Sequence, residues 1–299
     1  MAKQLKEDSI TKTDLLEYIR TQDEFRFELQ IFKKCKEKGF VCSHGGTYAD
    51  PITEKTRQYD LRVQITEGAY TIWLAAECKF LRKNFPLLIN RIPRVENESY
   101  HELIFSSDDK KEIDVFGINN SLIKPKSKSL RVIKNNSLYP KGEPVGKSIQ
   151  QVGRHLSSNE LISENSEIHE KWTQALNQAY ELVNYAKEDY QRFEDQMACS
   201  IVLPILIIPN STLWVMDYNI NGEAIGDISE VDSCDFYFGN KISIKDIFSF
   251  GYTFSHLTIF TETGFEHYIN NLSTDKKIFD NIFPAKASDV INSEKASPI

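Results

Sequence analysis

Tyr59-Asp60-Leu61-Arg62-Val63-Gln64-Ile65 and, a few residues on, Thr71-Ile72-Trp73-Leu74-Ala75-Ala76-Glu77-Cys78-Lys79-Phe80 decide how the rest of this chain is read. The first stretch alternates in polarity, and the second is an apolar run that ends on a charged pair, so each predicts a strand. Between them Glu67-Gly68 has the acidic residue plus glycine of a two-residue hairpin turn. With that turn Ile65 faces Tyr70 or its neighbour, and Asp60 falls opposite Ala75. Alternation then places Asp60, Ala75, Glu77 and Lys79 on one face, with Asp60 diagonal to Glu77 at roughly 7 to 8 Å. A one-residue slip of pairing would send Asp60 to the opposite face, so the arrangement depends on register. The second run is apolar on both faces through Ile72, Trp73, Leu74, Ala75 and Ala76, as a central strand is. Charges at the end of such a strand call for an explanation.

Two carboxylates and a lysine delivered by adjacent strands suit metal-assisted hydrolysis of a phosphodiester. Hard divalent cations take oxygen ligands, so Asp60 and Glu77 are the expected metal ligands, with the Cys78 backbone carbonyl completing the protein's share and the Cys78 side chain on the other face. Lys79 is expected to orient or deprotonate the attacking water and to offset charge on the phosphate. The same residue types also fall by chance on solvated sheet faces, where exposed charges contribute little. The apolar surroundings of Glu77 speak against that alternative.

These residues resemble the PD-(D/E)XK, or restriction-endonuclease-like, superfamily. In that family a helix precedes a meander carrying the Asp and the (Asp/Glu)-x-Lys, and a crossover helix and a further strand follow. Asp60 matches the first position, Glu77 the second and Lys79 the lysine, while Tyr59 stands where the family usually has proline. The likeness spans about residues 20 to 220, in pattern more than identity. It implies an α/β fold with a mixed central sheet flanked by helices, and magnesium as cofactor, with manganese able to substitute. A first-helix Glu often reaches the metal in this family, and Glu28 matches that role. Asp23 to Lys38 reads as that helix, with Phe25, Leu29, Phe32 and Cys35 as its apolar stripe and Gly39 as its stop. A carboxylate inside the stripe needs a partner or a route to water.

The formal net charge of -7 argues against a nucleic-acid binder only until it is divided along the chain. From Lys79 to Arg154 fifteen basic residues face eight acidic ones, a local +7 that leaves -14 for the remainder. Phosphate binding follows local potential, so the basic middle is the expected footprint. Lys124, Lys126, Lys128 and Arg131 form its densest part and are candidates to grip a backbone, with a solvated loop as the alternative. Gly142-Glu143-Pro144-Val145-Gly146-Lys147-Ser148 is one residue short of a phosphate loop, which excludes ATP binding there. A milder expectation is a helix capped by Ser148 and running through Ile149, Val152 and Leu156, presenting Lys147 and Gln151 to nucleic acid.

Downstream, Trp172, Leu176, Ala179, Val183, Ala186, Tyr190, Phe193 and Met197 predict a long helix, with Gln174 and Gln178 off its stripe on the surface. Ile201 to Ile208 predicts a buried strand with an irregularity at Pro204, and Thr212 to Tyr218 its neighbour. The expected organisation is a nuclease core over 1–218 with a basic insertion at about 84–146, a small α/β extension over 219–286 packed on the core, and a loose tail over 287–299. Cysteines 35, 42, 78, 199 and 234 show no paired spacing, so reduced structural thiols are expected. No apolar run reaches the length of a membrane span and the N-terminus lacks a signal core, which predicts no membrane and a cytoplasmic protein. The expected activity is endonucleolytic, on DNA more than RNA, in restriction or anti-phage defence with a partner protein for sensing and, for double-strand cutting, a homodimer. The alternatives are a nuclease-fold module that binds nucleic acid without cutting, and a protein-interaction module.

Overall fold

The computed structural model describes residues 8–21, 23–51, 53–106, 127–132, 137–189, 198–243, 251–274, 276–283 and 296–297. Two helices come first, α1 (Lys12–Thr21) and α2 (Asp23–Glu37). Helix α2 carries Asp23 and Glu24 in its first turn and Lys34 and Lys36 in its last, the polarity that complements a helix dipole. It stops at Gly39, which takes φ +78° while the Phe40 amide closes back on the Cys35 carbonyl. Its buried residues are Phe27, Ile31 and Cys35, whereas Phe25 and Leu29 are 61% and 41% exposed. The expected stripe is therefore rotated. Both apolar lines exist on this helix, and periodicity alone does not choose between them; packing against Leu61, Val63 and Cys78 does.

The hairpin follows. After β1 (Val41–His44) and a separate two-stranded strap, β2 (Thr47–Ala49) and β3 (Thr56–Gln58), come β4 (Leu61–Glu67) and β5 (Tyr70–Cys78). Glu67 pairs with Tyr70 and Leu61 with Ala76, so the turn residues are Gly68 and Ala69 rather than Glu67 and Gly68. Gly68 supplies the positive φ, +56°, that the tight turn requires. Moving the turn by one residue moves each cross-strand partner by two, so parity is preserved. Asp60, one residue before Leu61, thus lies level with Glu77 instead of diagonal to it.

Residues 84 to 164 were expected to hold a basic insertion and a helix; they supply strands β6 (Leu87–Pro93), β7 (His101–Ser106), β8 (Ser127–Val132), β9 (Pro144–Arg154) and β10 (Leu161–Glu164). In place of a helix capped by Ser148, β9 pairs with β6 through Ile149↔Ile89 and Ser148↔Asn90. From Ile149 to Arg154 burial alternates residue by residue, as a strand's does. Gly146 serves a close approach: a Cβ there would sit 2.7 Å from Phe236 and 2.8 Å from Ile89.

Helix α3 (Ser166–Lys187) then crosses to β11 (Ala198–Ile208). The expected helix positions Tyr190, Phe193 and Met197 lie outside the described residues. Strand β11 runs parallel to β5, from Cys199↔Tyr70 to Ile207↔Cys78. On its other edge it meets β7 at residues 198–200 and β15 (Gly251–Thr261) at 205–208. Cys199 N–H points to β5, donating to the Ala69 carbonyl, so alternation turns the Pro204 nitrogen to the opposite edge. It falls in the gap between those two partners, where no ladder donor is needed. Strand β12 (Leu213–Tyr218), expected beside β11, pairs instead with β6 and with β13 (Ala224–Glu230).

The result is a mixed α/β architecture with a large central sheet in the order β1-β4-β5-β11-β15-β14-β9-β6-β12-β13, where β14 spans Ser233–Ser243. Strands β14 and β15, from the stretch expected to pack on the core, are hydrogen-bonded into this sheet. Helix α3 covers one face, burying Ala179, Leu182 and Val183 against Trp73, Ala75 and Val202. Helices α2, α4 (Glu262–Thr274) and α5 (Lys276–Ile282) cover the other, around Ile72, Leu74, Cys78 and Ile205. Among the described residues no helix is long and apolar enough to cross a membrane.

Candidate active site

The end of β5 is where residues distant in sequence meet. Strand β5 is buried on both faces, and its alternation sends Trp73, Ala75 and Glu77 toward α3 and Cys78 toward α2. Glu77 is 0% exposed. A carboxylate there needs partners, and α3 provides two. Gln178 Nε2 donates to Glu77 Oε1 at 3.1 Å, and Lys171 Nζ lies 3.5 Å from Glu77 Oε2. The same ammonium donates to Asp60 Oδ2 at 2.9 Å, and the Cys78 amide donates to that oxygen at 2.8 Å. One nitrogen therefore bridges both carboxylates, which the hairpin brings to the same end of the same face.

The electrostatics follow from this crowding. Burial raises the Glu77 pKa well above the usual carboxylate range, and the Asp60 carboxylate raises it further. Burial pulls on Lys171 in the direction of the neutral amine, but Asp60 and Glu77 outweigh it and the ammonium is held more firmly than usual. Glu28 also has a raised pKa, by burial first and Asp60 second. Its Oε2 sits 3.2 Å from His44 Nε2, so the α2 carboxylate approaches the site while keeping its own partner.

Lys79 shares the face of Glu77, as alternation requires, yet its ammonium pairs with Glu24 at 3.3 Å and Glu167 at 3.2 Å. It thus lines an adjoining cleft of about 420 Å³ together with Phe80, Arg82, Phe85 and Gln151. Gln151, expected on a helix, reaches this cleft from β9 and is 2% exposed. The strap closes the other side. Tyr48 of β2 is buried, its hydroxyl pKa raised by burial and by Glu77, and Asn177 of α3 donates to Asp50 Oδ2 at 3.0 Å. Tyr59, in the place of the family's proline, stacks under the Arg62 guanidinium at 4.0 Å.

Two of the residues expected to grip nucleic acid, Arg131 and Lys147, are engaged away from this cleft. Arg131 donates twice to Glu102 Oε1, at 3.1 and 2.8 Å, and lies over Tyr100. Lys147 pairs with Glu98 and lies over Tyr237. Both cations neutralise carboxylates of their own chain instead of extending outward. Arg91 and Arg94 pair with Asp217 and Asp235 from outside the basic segment, which offsets two of its seven excess positive charges. Lys124 and Lys126 lie outside the described residues, and Lys128 falls on β8.

Lys171 and Gln178 are the residues the sequence reading missed. Gln178, expected on the surface, is fully buried. The signal was present: Ile168, Lys171, Ala175, Gln178 and Leu182 recur at three and four residues, so two polar side chains occupy core positions of an amphipathic helix. Such residues persist when something buried pairs with them.

The donor set is all oxygen, the chemistry of a magnesium-class cation. Buried Gln178 Oε1, without a hydrogen-bond partner among the described residues, adds an unused acceptor beside Glu77. Lys171 stands between the carboxylates, and among the described residues no three His, Cys, Asp or Glu side chains converge closely enough to hold an ion. The donor types suit such a cation, and the space between the two carboxylates is taken by the Lys171 ammonium. The cysteines are all free thiols, and Cys78 is fully buried, which raises its pKa well above that of an ordinary thiol. No protein-family model, no curated protein and no solved structure matches this chain.

Proposed function

We propose that this chain is a metal-dependent nuclease with a restriction-endonuclease-like core made of α2, β1, β4, β5, α3 and β11. The observation that carries the reading is the pairing of Asp60 with Glu77 around one ammonium, at the end of a strand buried on both faces. A helix, a meander bearing these two residues, a crossover helix and a parallel strand follow in the order the resemblance implies. Asp60, Glu77 and the Cys78 carbonyl would hold magnesium, or manganese in its place. Bound there, the cation supplies Lewis-acid polarisation of the phosphoryl oxygen. Lys79, at the cleft and paired with Glu24 and Glu167, would offset charge on an incoming phosphate and orient water, with Arg82 and Lys83 exposed nearby. Glu28 would support this centre from α2, where its carboxylate is close enough to feel the charge of Asp60.

DNA is the preferred substrate of this reading, with RNA second, and a role in restriction or phage defence alongside a partner protein is its expected setting. Plasmid cleavage in magnesium against EDTA tests it, with Asp60→Ala and Lys79→Ala as controls. Loss of cutting in both folded variants is expected; wild-type cutting by the double variant would end the reading. The contact of Lys171 with both carboxylates, with Gln178 also on Glu77, favours a second reading, a nuclease-fold module that binds nucleic acid without cutting. Retention of DNA by a wild-type protein that never cuts it, in magnesium or manganese, would select that one.

A further inference from the structure

Resting on the metal-dependent reading, we propose that Lys171 is a resident counter-cation: its ammonium holds the place of a hard divalent cation between Asp60 and Glu77, and that cation enters only as the side chain withdraws.

Three observations support this. The ammonium is within reach of oxygens from both carboxylates, at 2.9 and 3.5 Å, which is where a shared ligand must sit. Glu77 is completely buried beside Asp60, so any charge the pair carries without metal requires a counter-ion, and the nearest cation of the sequence motif, Lys79, is engaged with Glu24 and Glu167. Gln178 gives its amide nitrogen to Glu77, and its buried carbonyl oxygen has no hydrogen-bond partner among the described residues, an acceptor that an oxygen-seeking cation beside Glu77 would use. Lysine suits the part because a compact charge on a flexible four-carbon stem can move without helix rearrangement. It also has somewhere to go. Glu167 lies one turn earlier on α3 and Glu24 faces it from α2, both at the cleft into which a phosphate would come.

The consequence is competition, measurable without any substrate. Lys171→Met keeps the length of the side chain and removes its charge. In EDTA it is expected to melt below wild type, to regain stability on adding calcium, and to bind manganese about tenfold or more tighter by calorimetry, since the cation no longer displaces an ammonium. Lys171→Arg, which retains charge, is expected to bind manganese no tighter than wild type. A third variant, Lys171→Gln, serves if Lys171→Met fails to fold, with the same expectation as the methionine. Manganese affinity unchanged by removing the charge, or unaffected by adding Asp60→Asn to the neutral variant, would overturn the proposal. If wild type still cuts plasmid in magnesium in that case, the counter-cation role alone fails. Absence of manganese binding in every variant, together with no cutting, would remove the metal-dependent reading too.

Discussion

Gln178 donates its amide to the fully buried carboxylate of Glu77 at 3.1 Å, across 101 residues of chain. A buried carboxylate that loses a hydrogen bond is left with its desolvation cost, so Gln178→Leu should destabilise the protein by about 1–3 kcal/mol in urea unfolding. Gln178→Glu should cost more, because it adds a second carboxyl beside one whose pKa is already raised. Equal stability of the leucine variant and wild type would show that this contact does not support Glu77.

Arg131 is tied to Glu102, whose side chain is 0% exposed and which also accepts from the Thr253 amide at 2.7 Å. Removing one partner of such a pair strands the other. Arg131→Met is therefore expected to cost on the order of 2 kcal/mol of stability, allowing for the protonation that the raised Glu102 pKa makes available. Its effect on DNA affinity should be small. A folded, fully stable variant with a reduced salt dependence of DNA binding would instead return Arg131 to the nucleic-acid surface.

His256 sets an acid limb. Arg94 Nε donates to its Nε2 at 3.1 Å, which leaves Nδ1 to donate to Ser255, and Tyr139 stacks on the ring at 3.9 Å. Burial, then Arg94, Lys147 and His101, pulls the imidazole pKa down to about 2. A depressed base is neutral when folded but takes up a proton when unfolded, so its contribution is complete above the unfolded value of about 6.5 and shrinks as pH falls below it. Between about pH 6.5 and 4 this one group should lower stability by roughly 1 kcal/mol per pH unit. His256→Gln, which can still accept from Arg94, should flatten that slope. Parallel pH profiles for the two proteins would contradict the assignment.

Gly146 tests the distinction between a phosphate loop and a packed strand. Its Cβ position is filled by Phe236 and Ile89, so Gly146→Ala should cost about 1–3 kcal/mol through overpacking. Nucleotides should leave the melting temperature of either protein unchanged. Stabilisation by ATP in the wild type would restore the loop reading.

Asp189 links two strands under the end of α3. It accepts from Trp73 Nε1 at 3.0 Å and from Ser200 Oγ at 2.6 Å, and is 1% exposed. Asp189→Ala removes the acceptor that these two buried donors share, with an expected loss of about 2–4 kcal/mol by chemical unfolding. A loss below about 0.5 kcal/mol would mean that the strands are joined by apolar packing alone.

What the sequence determined by itself is parity. Alternation along residues 59–65 and 71–80 puts Asp60, Glu77 and Lys79 on one face, and it survives an error of one residue in the turn because partners move in steps of two. The central character of β5 was legible for the same reason: a strand apolar on both faces has to be covered on both. Tertiary structure alone decided which ammonium meets the carboxylates. Lys79 lies on the right face but beyond the end of β5, where Glu24 and Glu167 take it, whereas Lys171 and Gln178 arrive because Ala175, Ala179 and Leu182 seat α3 on the sheet. The choice between the two apolar lines of α2, and the capture of Arg131 and Lys147 by Glu102 and Glu98, are likewise settled by the opposing surface. Local periodicity states which side a residue faces; only the packing of distant segments states what it finds there.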